Sequence, residues 1–270
     1  MEEAIKYFAV FGGLDIKIDT SKPLIELIEK HILKDYPFLR NEISSITGGY
    51  SVDQAVLSGI AQGDRRTHST FKRAHVSNEE GMKCVEKLIE REVIEIESSL
   101  HFLINKRGDS KISKKLLFTT PYLRFWFAFI SPIYKGIKEG KFEEFRTLYQ
   151  NKEAEFVNFI FEELSMDLLR ASFKDDPIIK LGKYWDENIE IDLLGKTKSG
   201  KIVVGNCKYT NSKIKKTELT KLKEDCKSIE LEADIFVLFT KKGFTTELKG
   251  LKGQELKLFT AKSFKSLIVK

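Results

Sequence analysis

Residues 181–214 read LGKYWDENIEIDLLGKTKSGKIVVGNCKYTNSKI, and the fold of the C-terminal half turns on them. Ile189, Glu190, Ile191 and Asp192 alternate apolar and acidic before Leu193 and Leu194, the period of a half-buried strand. Gly195 and then Ser199 and Gly200 mark a turn, after which residues 201–208 read as a second, mostly buried strand. Successive side chains point to opposite faces, so Glu190 and Asp192 share one face, and Asn206 and Lys208 share one face of the partner strand. A hairpin turning near Lys198 brings the two polar faces together.

An acid on one strand, with a polar residue, a spacer and a lysine on the next, suits metal-dependent phosphodiester hydrolysis. Carboxylates hold Mg²⁺ against the phosphate, the metal acidifies a water, and a lysine orients that water or stabilises developing charge. The arrangement resembles the PD-(D/E)XK nuclease superfamily, with Asp192 at the Asp position and Asn206, Cys207 and Lys208 at the (D/E)-x-K position. Trp185, then Glu190, Ile191 and Asp192, then Gly205, Cys207, Lys208 and Tyr209 are similar to the DUF234 domain, usually the C-terminal part of archaeal and bacterial DEXX-box ATPases. Residues 121–127 (PYLRFWF) and Phe161, Glu162 and Glu163 extend that likeness, with Thr120 where the family often has Asp and Asn158 where it favours Gly. The resemblance implies Glu162, Asp192 and Asn206 as ligands of Mg²⁺ or Mn²⁺, and Lys208 as the residue assisting the attacking water. The family reads Gly-Glu-Cys-Lys where this chain has Asn206, and an uncharged amide oxygen binds a hard cation more weakly. The alternative is an inert domain in which Asp192 and Lys208 form a buried ion pair.

Residues 195–201 (GKTKSGK) fit the beginning of a phosphate-binding loop. The eighth position is Ile202 in place of Ser or Thr, and a strand follows where a helix N-terminus is required, so the segment reads as a hairpin turn. The chain thus resembles the tail of those ATPases without the motor.

Hydrophobic residues make up 41% of the 270 and aromatics 11%, a globular composition with enough chain for one large or two modest domains. Cys84, Cys207 and Cys226 form no even framework and no metal-like spacing, which predicts a reducing, cytoplasmic home. The N-terminus lacks the positive start and long apolar core of a signal peptide. No stretch reaches the roughly 18 to 20 apolar residues of a membrane span. The nearest, residues 121–133, carries Arg124 and reads as an apolar helix buried between domains.

From residue 193 onward the chain has 18 lysines, no arginine and 8 acidic residues, a net +10, whereas the first 192 residues carry 28 basic and 32 acidic ones, a net −4. A lysine-rich half suits a polyanion, of which DNA is the commonest, and Lys213, Lys215 and Lys216 are its candidate contacts.

Residues 22–36 predict a helix with Pro23 in its first turn and Pro37 at its end. Residues 51–105 follow the order of a winged helix-turn-helix, with helices at 51–60, 66–74 and 78–91 and two strands, 93–96 and 100–104, as the wing. Arg65, Arg66, Lys72 and Arg73 cluster at its second helix as candidate phosphate contacts. A helix at 151–172, the hairpin with a third strand, a helix at 217–231, strands at 234–240 and 256–259 and a closing helix at 261–268 complete the order of a nuclease core.

The expectation is therefore an α+β chain, with a helical domain over 1–150 and a nuclease-like α/β domain with a mixed central sheet over 151–270. Three functions stay open: a Mg²⁺- or Mn²⁺-dependent DNA endonuclease, an inactive nuclease-like DNA-binding module, or an adaptor for a separately encoded ATPase.

Overall fold

The computed structural model describes residues 1–104 and 112–268. It is α+β overall and divides into two compact bodies, one of residues 6–98 and 113–153, the other of residues 1–5, 99–112 and 154–270.

In chain order, helices α1 (Glu2–Phe11), α2 (Leu24–Ile28), α3 (Tyr36–Thr47), α4 (Ser51–Gln62), α5 (Thr67–Ala74) and α6 (Asn78–Glu90) precede strands β1 (Ile94–Glu97) and β2 (Lys115–Phe118). Helical periodicity explains α4 and α6, which bury Val56, Leu57 and Ile60, and Cys84, Val85 and Leu88. The Ser77 side chain accepts the Glu80 N–H at 3.1 Å and caps α6. Strands β1 and β2 pair antiparallel, and Arg66 bridges to Lys115, so the run between α4 and α5 joins this small ladder. Helices α7 (Pro121–Phe125) and α8 (Tyr134–Lys138) flank a π-helical turn, Trp126–Ile130, whose Trp126, Phe127, Phe129 and Ile130 are buried. The apolar run at 121–133 thus lies within the helical body. Among the described residues no helix is long and apolar enough to cross a membrane.

Helix α9 (Glu143–Ser172) leads into the second body. Strands β3 (Ile178–Trp185), β4 (Glu190–Thr197), β5 (Ile202–Lys208), β6 (Ile235–Thr240) and β7 (Leu256–Thr260) lie side by side in sequence order, with α10 (Lys216–Ser228) and α11 (Thr246–Gly250) between the later ones. The first three strands pair antiparallel and the last three parallel. On one face Tyr184, Ile191, Leu194, Val204 and Leu238 pack with Leu219, Leu222, Cys226 and Ile229 of α10. On the other, Phe161 of α9 meets Tyr209 and Phe264, with ring centroids 5.4 and 5.2 Å apart.

The hairpin turns as expected near Lys198: Thr197 donates to Lys201 O, and Gly200 takes the left-handed φ of 95° that favours glycine there. Gly195, read as a turn residue, instead lies within β4, opposite Leu181 and Val203. Gly205 sits in mid-strand, where an added Cβ would lie 2.6 Å from Val237 O and 3.2 Å from Leu193 Cδ1. Gly205→Ala is accordingly expected to cost about 1–3 kcal/mol by forcing β5 and β6 apart; an unchanged thermal midpoint would show that the strands yield freely.

The stretch at 100–104 is no strand: His101–Ile104 forms a 3₁₀ turn, Asn105 lies outside the described residues, and the strand beside β1 is β2. Leu100 serves the other body, donating its N–H to Lys183 O and entering the core, and His101 meets the Tyr184 ring edge-on at 5.1 Å. Pro37 does not end a helix but begins one, in the first turn of α3, where its missing N–H goes unnoticed. The preceding helix stops earlier, with a π-helical turn at Glu29–Leu33.

Candidate functional site

Period two alone would place Asp192 on the same face as Leu194. The register says otherwise, because Gly182 pairs with Leu194 while Tyr184 pairs with Ile191, leaving Asp192 and Leu193 opposite the single residue Lys183. Such a bulge re-aims side chains. Ile191 and Leu194, three apart, both enter the core beneath α10, and Asp192 turns from that core to the end of β5. There its Oδ2 accepts the Cys207 N–H at 2.8 Å, while its own N–H lies 3.5 Å from Asn206 Oδ1. The structure therefore brings Asp192 and Asn206 together, as the hairpin predicted.

Glu162, on α9, is held by Lys183, a residue not among the sequence candidates. Lys183 is wholly buried, and its Nζ donates to Glu162 Oε2 at 2.8 Å and lies 3.2 Å from Glu163 Oε1. The latter contact is an ion pair without hydrogen-bond geometry, since Glu163 Oε1 is buried with no hydrogen-bond partner. Glu162 Oε1 takes the Asn158 amide at 2.6 Å, and Asn158 Oδ1 accepts the Tyr209 N–H at 3.2 Å. Asn158 thus ties Glu162 to the chain leaving β5. A signal for Lys183 was present in the sequence, a lysine between Gly182 and the aromatic pair Tyr184 and Trp185 in an apolar strand. Charges inside such runs are rarely buried unless paired.

Burial, and then the Glu162 carboxylate, push Asp192 up to about 7 from its ordinary 3.8, against the Cys207 N–H, Lys183 and Lys208. The native state therefore binds more protons than the unfolded chain between those values, and this group's contribution falls as pH rises from about 4 to about 7. Wild type is expected to lose more urea resistance than Asp192→Asn between pH 5 and pH 8; parallel losses would show that Asp192 titrates normally. Burial likewise holds the Cys207 thiol well above its usual range, so it is no thiolate nucleophile.

Lys208 is not paired with Asp192. Its nearest described carboxylate is Glu218 at 4.0 Å, with both side chains more than a third exposed, a contact worth under about 1 kcal/mol. Lys213 and Lys215, between β5 and α10, and Lys216, the first residue of α10, are exposed, with Lys216 lying 3.4 Å from Glu247. Lys241, just past β6, bonds Asn211 Oδ1 at 2.9 Å and lies over the Tyr209 ring. Because β5 and β6 are parallel, these lysines gather at the carboxyl edge of the sheet, where open α/β sheets bind ligands. Arg65, Arg66, Lys72 and Arg73 belong to the other body; Lys72 and Arg73 are exposed, while Arg65 and Arg66 are half-buried and held by the small ladder. A cavity of about 790 Å³ lies at the opposite, hairpin-turn end of the sheet, beside Lys180, Lys196 and Gly200, and takes no part in this site.

Asp192, Glu162 and Asn206 fit a divalent ion poorly. Both Glu162 oxygens are engaged, one by a full positive charge, and Asn206 brings no charge. Among the described residues no three His, Cys, Asp or Glu side chains gather as a metal cluster. Two unit charges 4 Å apart repel by about 4 kcal/mol at an effective dielectric of 20, and a divalent ion beside an ammonium by twice that. A metal at Glu162 would have to displace Lys183 or bear that repulsion.

The fold and site define an α+β protein with a mixed five-stranded sheet and a cluster of partly buried carboxylates around a wholly buried lysine. Residues 126–222 match the model of DUF234, a family described as archaea bacterial proteins of unknown function, and over that segment the chain is similar to it. No curated protein and no solved structure matches the chain.

Proposed function

We propose that this chain binds DNA through the lysine-rich carboxyl edge of its five-stranded sheet, and that its nuclease-like core serves binding, not hydrolysis. The observation that carries this reading is the edge itself: Lys208 held only weakly, with Lys213, Lys215 and Lys216 exposed beside it. Phosphate contacts of this kind supply affinity without reading sequence. The element order α9, β3, β4, β5, α10, β6 supports the PD-(D/E)XK-like reading of this core. In the helical body, the succession of α4, the Arg66 bridge, α5, α6, β1 and β2 supports a winged-helix reading in which β2 takes the place expected for residues 100–104, with Lys72 and Arg73 as a second set of phosphate contacts.

The second reading, a Mg²⁺- or Mn²⁺-dependent endonuclease, is favoured by the proximity of Glu162 and Asp192 and requires Glu162 to exchange Lys183 for metal. One titration separates the two. Wild type and Lys208→Ala are mixed with supercoiled, linear, single-stranded and branched DNA in Mg²⁺, Mn²⁺ or chelator, and shifts and cuts are scored together. Salt-sensitive shifts without cutting are expected. Metal-dependent cutting lost in Lys208→Ala would establish the enzyme, and neither cutting nor binding would point to a protein partner such as a separate ATPase.

A further inference from the structure

The nuclease-like pocket asks for positive charge. Glu162 and Glu163 stand on one turn of α9, and Asp192 lies in the β4 bulge opposite Lys183. Carboxylates brought together out of water must be compensated, protonated or bound to a cation. A divalent ion held by carboxylate and amide oxygens is the usual solution in such a place. Here the charge comes from the chain. Lys183 has no exposed side-chain surface and meets both glutamates, with its Nζ 5.3 Å from the centroid of the Phe159 ring. Its position is built in: it is the β3 residue that the β4 bulge straddles, and its own carbonyl accepts the Leu100 N–H at 2.9 Å.

We infer that the Lys183 ammonium is the resident cation of the pocket formed by Glu162, Glu163 and Asp192, and that it holds the place a divalent metal would otherwise take. The inference rests on the nuclease-like reading of the pocket but not on DNA binding. It assigns Lys183 a positioning role: it fixes Glu162 through Oε2 while Asn158 fixes Oε1. It also accounts for Asn206. With a cation already supplied, a further carboxylate at 206 would be uncompensated, and a neutral amide beside the Asp192 N–H is the compatible choice.

Mn²⁺ is the probe, because it is a hard cation with a paramagnetic signal. Wild-type full-length protein, Asp192→Asn, Lys183→Met and the double variant Lys183→Met with Asp192→Asn are titrated with Mn²⁺ in the absence of DNA, and free ion is read by electron paramagnetic resonance. Wild type is expected to take up no Mn²⁺ at this pocket. Lys183→Met is expected to gain one ion per chain, at least ~100-fold tighter than wild type once the repelling charge is gone, and the double variant to lose it. A wild-type site abolished by Asp192→Asn would overturn the inference, and so would a folded Lys183→Met that binds none.

A second measurement keeps the test valid if Lys183→Met does not fold. In wild type labelled with ¹⁵N at lysine Nζ, the shielded Lys183 ammonium, assigned by its loss in Lys183→Arg, is expected to stay sharp at equimolar Mn²⁺. Its broadening would place metal in the pocket and refute the assignment. Neither readout involves DNA, so a protein that fails to bind DNA but behaves as described would lose the proposed function and keep this inference.

Discussion

Lys183→Met is expected to lower the unfolding free energy of the sheet body by about 3–5 kcal/mol, because removing one partner of a buried ion pair leaves the others charged and uncompensated. The lysine is wholly buried and the Glu162 side chain is 13% exposed, so little water can take over when the ammonium is lost. Glu163, at 34% exposure, can turn outward and recover some hydration, which sets the lower end of that range. Adding Glu162→Gln to Lys183→Met should restore part of the loss, since the double variant strands one carboxylate fewer. Urea unfolding followed by Trp185, two residues from Lys183 and buried, in a Trp126→Phe background would report on this body. A loss below about 1 kcal/mol would mean that the pocket is hydrated and Lys183 dispensable, contrary to its burial.

Replacing Lys213, Lys215 and Lys216 together by Ala is expected to weaken DNA binding by about two orders of magnitude near 0.1 M salt. Each phosphate contact contributes about 0.9 to the slope of log affinity against log salt, so losing three should flatten it by about 2.7. All three side chains are exposed, and only Lys216 stands near a described carboxylate, Glu247 at 3.4 Å, so the fold should tolerate the change. Mobility shifts across a salt series give both quantities at once. An unchanged slope would remove this edge from the interface. Lys72→Ala with Arg73→Ala tests the helical body separately, and a larger effect there would transfer the DNA contact to α5.

The hairpin of β4 and β5, its turn, and the meeting of Asp192 with Asn206 were legible because each depends on near neighbours. Period-two alternation marks the strands, Gly200 marks the turn, and pairing two strands of one hairpin carries Asp192 to Asn206. Helices α6, α9 and α10 were legible for the same reason, from apolar residues at helical spacing. Residues 100–104 show the limit: their apolar pattern suits a strand, but they fold as a turn because Leu100 is claimed by the sheet body through the Lys183 carbonyl.

The sequence by itself thus determined an α+β chain with a mixed sheet, a DUF234-like segment, and a lysine-rich half with Lys208, Lys213, Lys215 and Lys216 close together in sequence. Only the tertiary structure decided how the site is charged. The β4 bulge turns Asp192 away from the core beneath α10, Asn158 locks Glu162 to the chain leaving β5, and Lys183 reaches Glu162 across 21 positions of sequence. The physical reason is range. Periodicity reports what a residue shares with neighbours a few positions away, whereas a strand register and the compensation of a buried charge are set by whichever element packs against it.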